Sequence, residues 1–409
     1  MAETEVVVTG LGAVTPLGND VATTWSGLLA GRTGVRLLED ESLARLGVPV
    51  RIGAPVVSDP AQLLPRSEAR RMDRCQQLAV IAARQAWEIA INGAEVDPDR
   101  VGVVVGTGAG GALTSQSQYD LLMKQGMRSL SPLAVPMLMP NGPAAQVGLA
   151  VGARAGVHAP VAACASGADA IAWAWRMLKA GDADVVVAGG AEANLTAFTL
   201  AAFAKTRTLS TNNEDPQRAS RPWDVDRDGF VLGEGAGILV LERAEHAKAR
   251  GAKTYARLSG VGTTSDAHHI TAPDPEARGQ VRAITAALRS AGLSPSDVGH
   301  VNAHATSTVV GDIPEAVAIR TAIGSHPVLT GPKGALGHLV GAAGAVEAVA
   351  SVLTLEHGLI PPTANLEVVD PAVKLDVVTG RAREADVAAV VSNSFGFGGH
   401  NVSLVLTKN

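Results

Sequence analysis

Cys164 lies in VAACASGADA (161–170), among seven alanine, glycine and serine residues and ahead of a run that reads as a buried helix ending at Gly181. The preceding APVAA reads as a buried strand, so the thiol is expected at a strand-to-helix turn, which resembles the nucleophile elbow of hydrolases. The unpaired N–H groups at a helix start favour the thiolate, the reactive form of cysteine. Ala165 and Gly167 leave room for a substrate beside the sulfur. Free cysteine is also among the most often buried residue types, and this segment alone leaves packing and catalysis both open. Cys75 sits in the amphipathic helical pattern ARRMDRCQQLAVIAARQAW with no glycine turn beside it, and reads as packing.

A nucleophilic cysteine needs partners for protons and charge, which distant segments can supply. Two of the ten histidines stand in unusual settings. His304 ends the apolar run HVNAH and opens the polar turn ATSTVVGD, and open α/β sheets place ligands at strand ends. His338 lies in GPKGALGHLVGAAGAVEA, at the start of a helix so rich in small residues that another backbone must approach closely. Lys333 precedes it by five residues in a glycine-punctuated loop. Either histidine alone also reads as a satisfied polar group. His268 and His269 lack ligand spacing to the others, and no CxxC or HExxH metal motif occurs.

Two look-alike motifs carry less. GTGAGG (106–111) satisfies G-x-G-x-x-G after a strand, but no acidic residue ends a second strand about 20 positions on, so a nucleotide site is not expected. DVDRDG (224–229) copies half of a calcium loop, but Gly235 stands where the glutamate belongs.

The elements that must position these residues alternate. Apolar β-branched runs (EVVVTGLG, VGVVVGTG, APVAACA, ADVVVAGGAEA, GILVLERA, ARLSGVG, HVNAHAT, ADVAAVVSNSFG, VSLVLT) are separated by alanine-rich helical ones, the pattern of an α/β sheet covered on both faces. RVGVVVGTGAGG, CASGADAIAWAWRMLKAG and DADVVVAGGAEA have an echo in HVNAHATSTVVGD, GHLVGAAGAVEAVASVLTLEHG and ADVAAVVSNSFGFGG. Two similar halves, 1–250 and 251–409, joined near 245–255, are therefore expected, although any α/β chain shows some self-similarity.

The 409 residues are 46% hydrophobic and 18% charged with a net charge of −5, and no block of like charge invites nucleic acid or a membrane. Two cysteines and no basic, apolar leader fit a reducing, cytoplasmic setting. No apolar stretch reaches the ~18 residues of a membrane span. Asn194-Leu-Thr and Asn401-Val-Ser read as chance matches to the glycosylation pattern.

Taken together, ACASG, RPWDVDRDGFVLGEGAG, NAHATSTVVGD, GPKGALGHLVGAAGAVEA and SNSFGFGGHN resemble the β-ketoacyl-acyl carrier protein synthases, the elongating enzymes of type II fatty acid synthesis. The resemblance spans nearly the whole chain. It implies a thiolase-like fold of two α/β halves in a layered α-β-α-β-α core, a homodimer, and a Cys164, His304 and His338 site that condenses malonyl-acyl carrier protein with a cysteine-bound fatty acyl chain. No metal or other cofactor is implied. An initiating synthase is expected to carry asparagine for the second histidine, and a thiolase a further cysteine near the C-terminus; neither fits. The ketosynthase subunit of a type II polyketide system shares the three residues, and a non-catalytic chain-length or scaffold partner lacks the nucleophile.

By the same resemblance, the N–H groups of Cys164 and Phe397 form an oxyanion hole and Phe397 gates the pocket. Lys333 with Glu315 supports the histidines, with Asp312 in the same turn as Glu315. Thr306 and Thr308 bind the phosphopantetheine arm, and Ala109 lies at the acyl pocket. Arg70, Arg71, Lys124, Arg128 and Arg207 are docking residues for an acidic carrier. Ala305 stands where the family has glycine; at positive φ it would cost about 1 kcal/mol.

Overall fold

The computed structural model describes residues 4–409. Its β-branched runs form a mixed sheet of eleven strands: β1 (Val6–Val14), β2 (Val101–Gly106), β3 (Gly156–His158), β4 (Val185–Glu192), β5 (Gly235–Arg243), β6 (Ala256–Ser265), β7 (His300–Asn302), β8 (Val328–Thr330), β9 (Asp376–Val377), β10 (Ala389–Gly396) and β11 (His400–Thr407). The spatial order is β9-β8-β7-β10-β11-β6-β1-β5-β4-β2-β3.

That order contains a repeat. From β1 outward the N-terminal half runs β1-β5-β4-β2-β3, and from β6 outward the C-terminal half runs β6-β11-β10-β7-β8, with β9 added at the edge. The directions repeat too. In each half the first two pairings are antiparallel and the next two parallel. Only Val7 with Arg257 and Val8 with Ala256 pair β1 to β6 across the seam.

Eight helices matter for the site: α1 (Arg74–Ile91), α2 (Ala112–Gln125), α3 (Gly142–Val151), α4 (Ser166–Ala180), α5 (Ala197–Thr206), α6 (Arg278–Ala291), α7 (Asp312–Ala322) and α8 (Ala343–His357). α1 and α3 cover the outer face of the N-terminal half, and α6 with α7 the outer face of the C-terminal half. α4 and α8 pack on each other and on strands of both halves, forming the middle of an α-β-α-β-α stack. Every residue of α8 from Ala343 to Leu355 is buried, as a helix enclosed on all sides requires. With few aromatics, alanine, valine and leucine fill this core.

Most of the expected strands form. APVAA does not: β3 stops at His158, and Pro160, which has no N–H to give a ladder, leads the chain away as an irregular stretch with Val161 52% exposed. β5 is joined to β6 by a short helix, Ala244–Ala249, followed by Gly251 at φ +70°. Asn194 and Asn401, 3% and 2% exposed, are too buried to accept a glycan.

Candidate active site

Cys164 sits in a 3-10 turn, Ala163–Ala165, that runs directly into α4. Ala163 carries φ +49°, a left-handed conformation that costs an alanine roughly 1 kcal/mol or more. Ser166 holds the turn: its Oγ accepts from the Ala162 N–H at 2.9 Å and donates to the Ala163 carbonyl at 2.7 Å. The thiol thus stands at the N-terminal end of α4, inside a cavity of about 270 Å³ that it shares with His304, His338, Thr306, Thr308 and Phe397. Burial pushes the thiol up to about 11, while the Lys333 ammonium and the N–H groups of Phe397 and Cys164 pull the other way.

Phe397 follows the last residue of β10, and its backbone reaches the sulfur because Gly396 lets two backbones touch. A Cβ on Gly396 would lie 2.6 Å from the Ala162 carbonyl and 3.2 Å from the Cys164 nitrogen. Gly398 and Gly399, at φ +82° and +74°, then turn the chain into β11. The N–H groups of Cys164 and Phe397 both favour the thiolate, and an acyl oxygen on that sulfur would develop negative charge beside them.

The histidines come from the C-terminal half. His304 lies two residues past β7, and His338 two residues past the helical turn Lys333–Leu336 that follows β8. Their rings are perpendicular, with centroids 5.4 Å apart. Burial holds both far below the usual histidine range and the Lys333 ammonium adds to the effect; for His304, His338 adds further. Both are therefore neutral. Nδ1 of His304 and both ring nitrogens of His338 are buried with no partner in the protein. Such groups normally have one, so these are free for a substrate. Phe395 packs edge-on against His304 and Phe230 against His338.

Lys333 is 1% exposed, and its Nζ donates to Glu347 Oε1 of α8 at 2.5 Å. Its ion-pair partner is thus Glu347, while Glu315, expected to support the histidines together with Lys333, bonds elsewhere. Glu315 instead accepts the backbone N–H groups of His304 at 2.8 Å and Ala305 at 2.6 Å, and so fixes the turn that carries the histidine. Glu347 is a residue that sequence reasoning missed. Its signal was available: it is the one carboxylate in the buried apolar run AGAVEAVASVLTL. Asp312 accepts from the Trp223 N–H at 2.9 Å and the Thr308 N–H at 3.3 Å, with Arg227 3.6 Å away. Burial raises Asp312 to about 6 and Glu315 and Glu347 to about 7.

The Thr306 and Thr308 hydroxyls lie 3.0 Å apart on the cavity wall. The left-handed residue of this turn is Ser307, at φ +69°, and not Ala305, so the alanine carries none of the expected strain. Ala109 is exposed and outside the lining of the cavity, because its turn faces Glu192; Val340 and Phe203, absent from the sequence reading, line the cavity instead. Arg70, Arg71, Lys124, Arg128 and Arg207 are all exposed. Only Arg207 of these stands beside the mouth, between Thr206 and Thr208 of the lining.

The discounted motifs have structural uses. The N–H groups of GTGAGG hold the Glu192 carboxylate rather than a phosphate, and Asp224 accepts three backbone N–H groups within its own loop and that of 367–368. Cys75 is fully buried in α1. Among the described residues no group of three or more His, Cys, Asp or Glu is arranged to hold a metal ion, and no helix is long and apolar enough to cross a membrane.

The family model for the N-terminal domain of β-ketoacyl synthases matches residues 3–247, and that for the C-terminal domain matches residues 255–367. A 3-oxoacyl-[acyl-carrier-protein] synthase 2 from Mycobacterium bovis is 48% identical over 98% of this chain and 97% of its own length. One of the same name from a Synechocystis species is 44% identical over 98% of each chain. Among solved structures, a β-ketoacyl synthase from Burkholderia phymatum superposes with a TM-score of 0.92 at 37% identity, over 99% of this chain and 100% of that one. A type II polyketide ketosynthase in complex with its acyl-carrier protein has a TM-score of 0.91 at 30% identity, over 100% of each chain. With its thiolase-like double α/β core and a cysteine facing two neutral histidines, this chain belongs to the β-ketoacyl synthase family.

Proposed function

We propose that this chain is a condensing acyltransferase of fatty acid elongation, which joins malonyl-acyl carrier protein to a fatty acyl chain held on Cys164 and releases a 3-oxoacyl chain two carbons longer. The observation that carries this reading is the convergence of the Cys164 sulfur, two inward N–H groups and two unpartnered neutral imidazoles in one cavity.

In the first step the Cys164 thiol loses its proton, its sulfur bonds to the acyl carbon, and the carrier thiol leaves with a proton. The N–H groups of Cys164 and Phe397 hold the tetrahedral oxyanion. In the second step the malonyl C–C bond to the carboxylate breaks, the carboxylate leaves as CO2, and the electron pair of that bond becomes an enolate. The N–H groups of neutral His304 and His338 stabilise that oxygen, and Lys333, tied to Glu347, keeps a positive charge nearby. The enolate carbon then bonds to the acyl carbon and the Cys164 sulfur leaves. Glu315 and Asp312 position the His304 turn, and Thr306 and Thr308 receive the pantetheine arm.

Exposed Arg70, Arg71, Lys124, Arg128 and Arg207 suit an acidic carrier. A second copy of the chain would cover the edge strand β3, where Val157, Leu149, Val161 and Trp173 are exposed. We assign the enzyme to the cytoplasm, as a homodimer whose protomers divide into halves 1–250 and 251–409. Relatives above 40% identity named for acyl-carrier-protein synthases favour this reading over the polyketide one.

The test is intact-mass measurement after mixing with an acyl carrier thioester. One acyl group is expected on the native protein and none on Cys164→Ala; an adduct that survives the substitution would refute the assignment of the nucleophile.

A further inference from the structure

Glu192 ends β4 and is fully buried. Its Oε2 accepts the N–H of Gly108 at 2.6 Å and of Gly341 at 3.0 Å. Its Oε1 accepts the Ala109 N–H at 3.3 Å, the Thr107 hydroxyl at 3.2 Å and the Asn194 amide at 2.8 Å. One carboxylate thus ties the turn after β2 in the N-terminal half to the turn before α8 in the C-terminal half. No side chain fits at the crossing. A Cβ on Gly341 would sit 2.4 Å from the Gly108 nitrogen and 2.7 Å from Oε2.

Next to Gly341 is Val340, a β-branched residue at φ +47°. This conformation is a genuine outlier for such a side chain and persists only where its surroundings impose it. The restraints lie on both sides. Upstream, the His338 N–H donates to the Val231 carbonyl at 2.7 Å and its own carbonyl accepts from Gly233 at 2.9 Å. Downstream, the Gly341 N–H is held by Glu192. Val340 lines the cavity of Cys164 together with Phe203 and Phe230, and belongs to the apolar cluster that also takes in Leu200, Phe203 and Cys164. An apolar chain on the sulfur has those side chains to lie against.

We propose that Glu192 is a positioning residue for the acyl subsite: through the Gly341 N–H it holds Val340 in its strained conformation, and Val340 is the wall that discriminates acyl chains. The proposal rests on the condensing reading above. Glu192 touches no reacting atom. It acts by making one wall of the cavity rigid.

The experiment compares kcat/KM for a short and a long straight-chain acyl carrier thioester. In Glu192→Gln only one acceptor oxygen remains for donors from Gly108, Gly341, Ala109, Thr107 and Asn194, so part of the tie is lost and the wall loosens. The long-to-short ratio is expected to shift by about fivefold or more, while alkylation of Cys164 by iodoacetamide is not slowed, because the Glu192 charge holds the thiol up and its loss can only favour the thiolate. Val340→Gly removes the wall and the strain together, and should shift the ratio the same way; the double variant should shift it no further than one of them alone. Should Glu192→Gln not fold, Glu192→Asp, which keeps both acceptor oxygens but shortens the arm, is read in the same manner. An unmoved ratio, equal losses for both chains, or additive effects in the double variant would overturn the proposal. Failure of native protein to acquire an acyl group on Cys164 would instead overturn the functional reading, which separates the two.

Discussion

At the scale of single residues, the site depends on buried groups whose charge states are set by their neighbours. Lys333 and Glu347 are each 1% exposed and face each other. Removing one partner of such a pair leaves the other charged in a dry place, and Lys333→Met is expected to lower unfolding free energy by about 3–5 kcal/mol. Adding Glu347→Leu should recover most of that in denaturant titrations, yet malonyl decarboxylation should stay impaired, because the positive charge beside the histidines is gone. The histidines give a pH test with a definite sign. An ordinary imidazole charges as pH falls through about 6.5, but burial and Lys333 hold His304 and His338 well below that. Because burial raises Asp312 to about 6 and Glu315 and Glu347 to about 7, a change in decarboxylation between pH 8 and 6 belongs to those carboxylates; the histidines are tested by their own NMR signals, which should not move from pH 8 to about 6, and imidazole shifts titrating near 6.5 would contradict neutral donors. The same depression means that each histidine contributes stability present above 6.5 and lost as pH falls, since only the unfolded chain takes up the proton.

At the scale of elements, turns rather than helices aim the chemistry. Gly396 lets the β10–β11 hairpin rest on the turn that carries Cys164. Gly396→Ala would drive a methyl to within 2.6 Å of the Ala162 carbonyl and push the Phe397 N–H off the oxyanion. A loss of roughly 10²–10³ in kcat is expected, with near-native folding by circular dichroism; an unchanged kcat would remove Phe397 from the oxyanion hole. This level also decides what was legible in the sequence. Strand and helix periodicity exposed nearly every ladder, because a strand buried on both faces must be apolar throughout. APVAA was apolar enough to pass as a strand, yet Pro160 and its place at the sheet edge denied it a ladder. Cys164, His304 and His338 announced themselves by sitting among small residues at element ends, although resemblance was needed to bring them together. Glu347 and Glu192 stayed hidden because partners 14 positions away, and 85 and 149 positions away, leave no spacing pattern, and Val340 because nothing local marks its positive φ.

At the scale of the whole molecule, the repeat places equivalent turns under equivalent control. His304 and Ala305, just past β7, give their N–H groups to Glu315; Gly108 and Ala109, at the same distance past β2, give theirs to Glu192. The C-terminal copy of that turn presents a histidine and the N-terminal copy a bare glycine, so one half supplies proton donors and the other the nucleophile. Neither half should fold alone. α4 and α8 each need strands from both sheets to cover them, and separated fragments 1–250 and 251–409 are expected to aggregate or remain unfolded apart, and to regain circular dichroism and acylation only when refolded together. Conversely, a protease cut near Gly251 should leave a complex that melts in one transition. The two-residue pairing between β1 and β6 is too slight to be the reason; the shared helices are. The halves thus repeat a topology without being units of stability, and a chain cut at that boundary would keep the pattern and lose the thermodynamics.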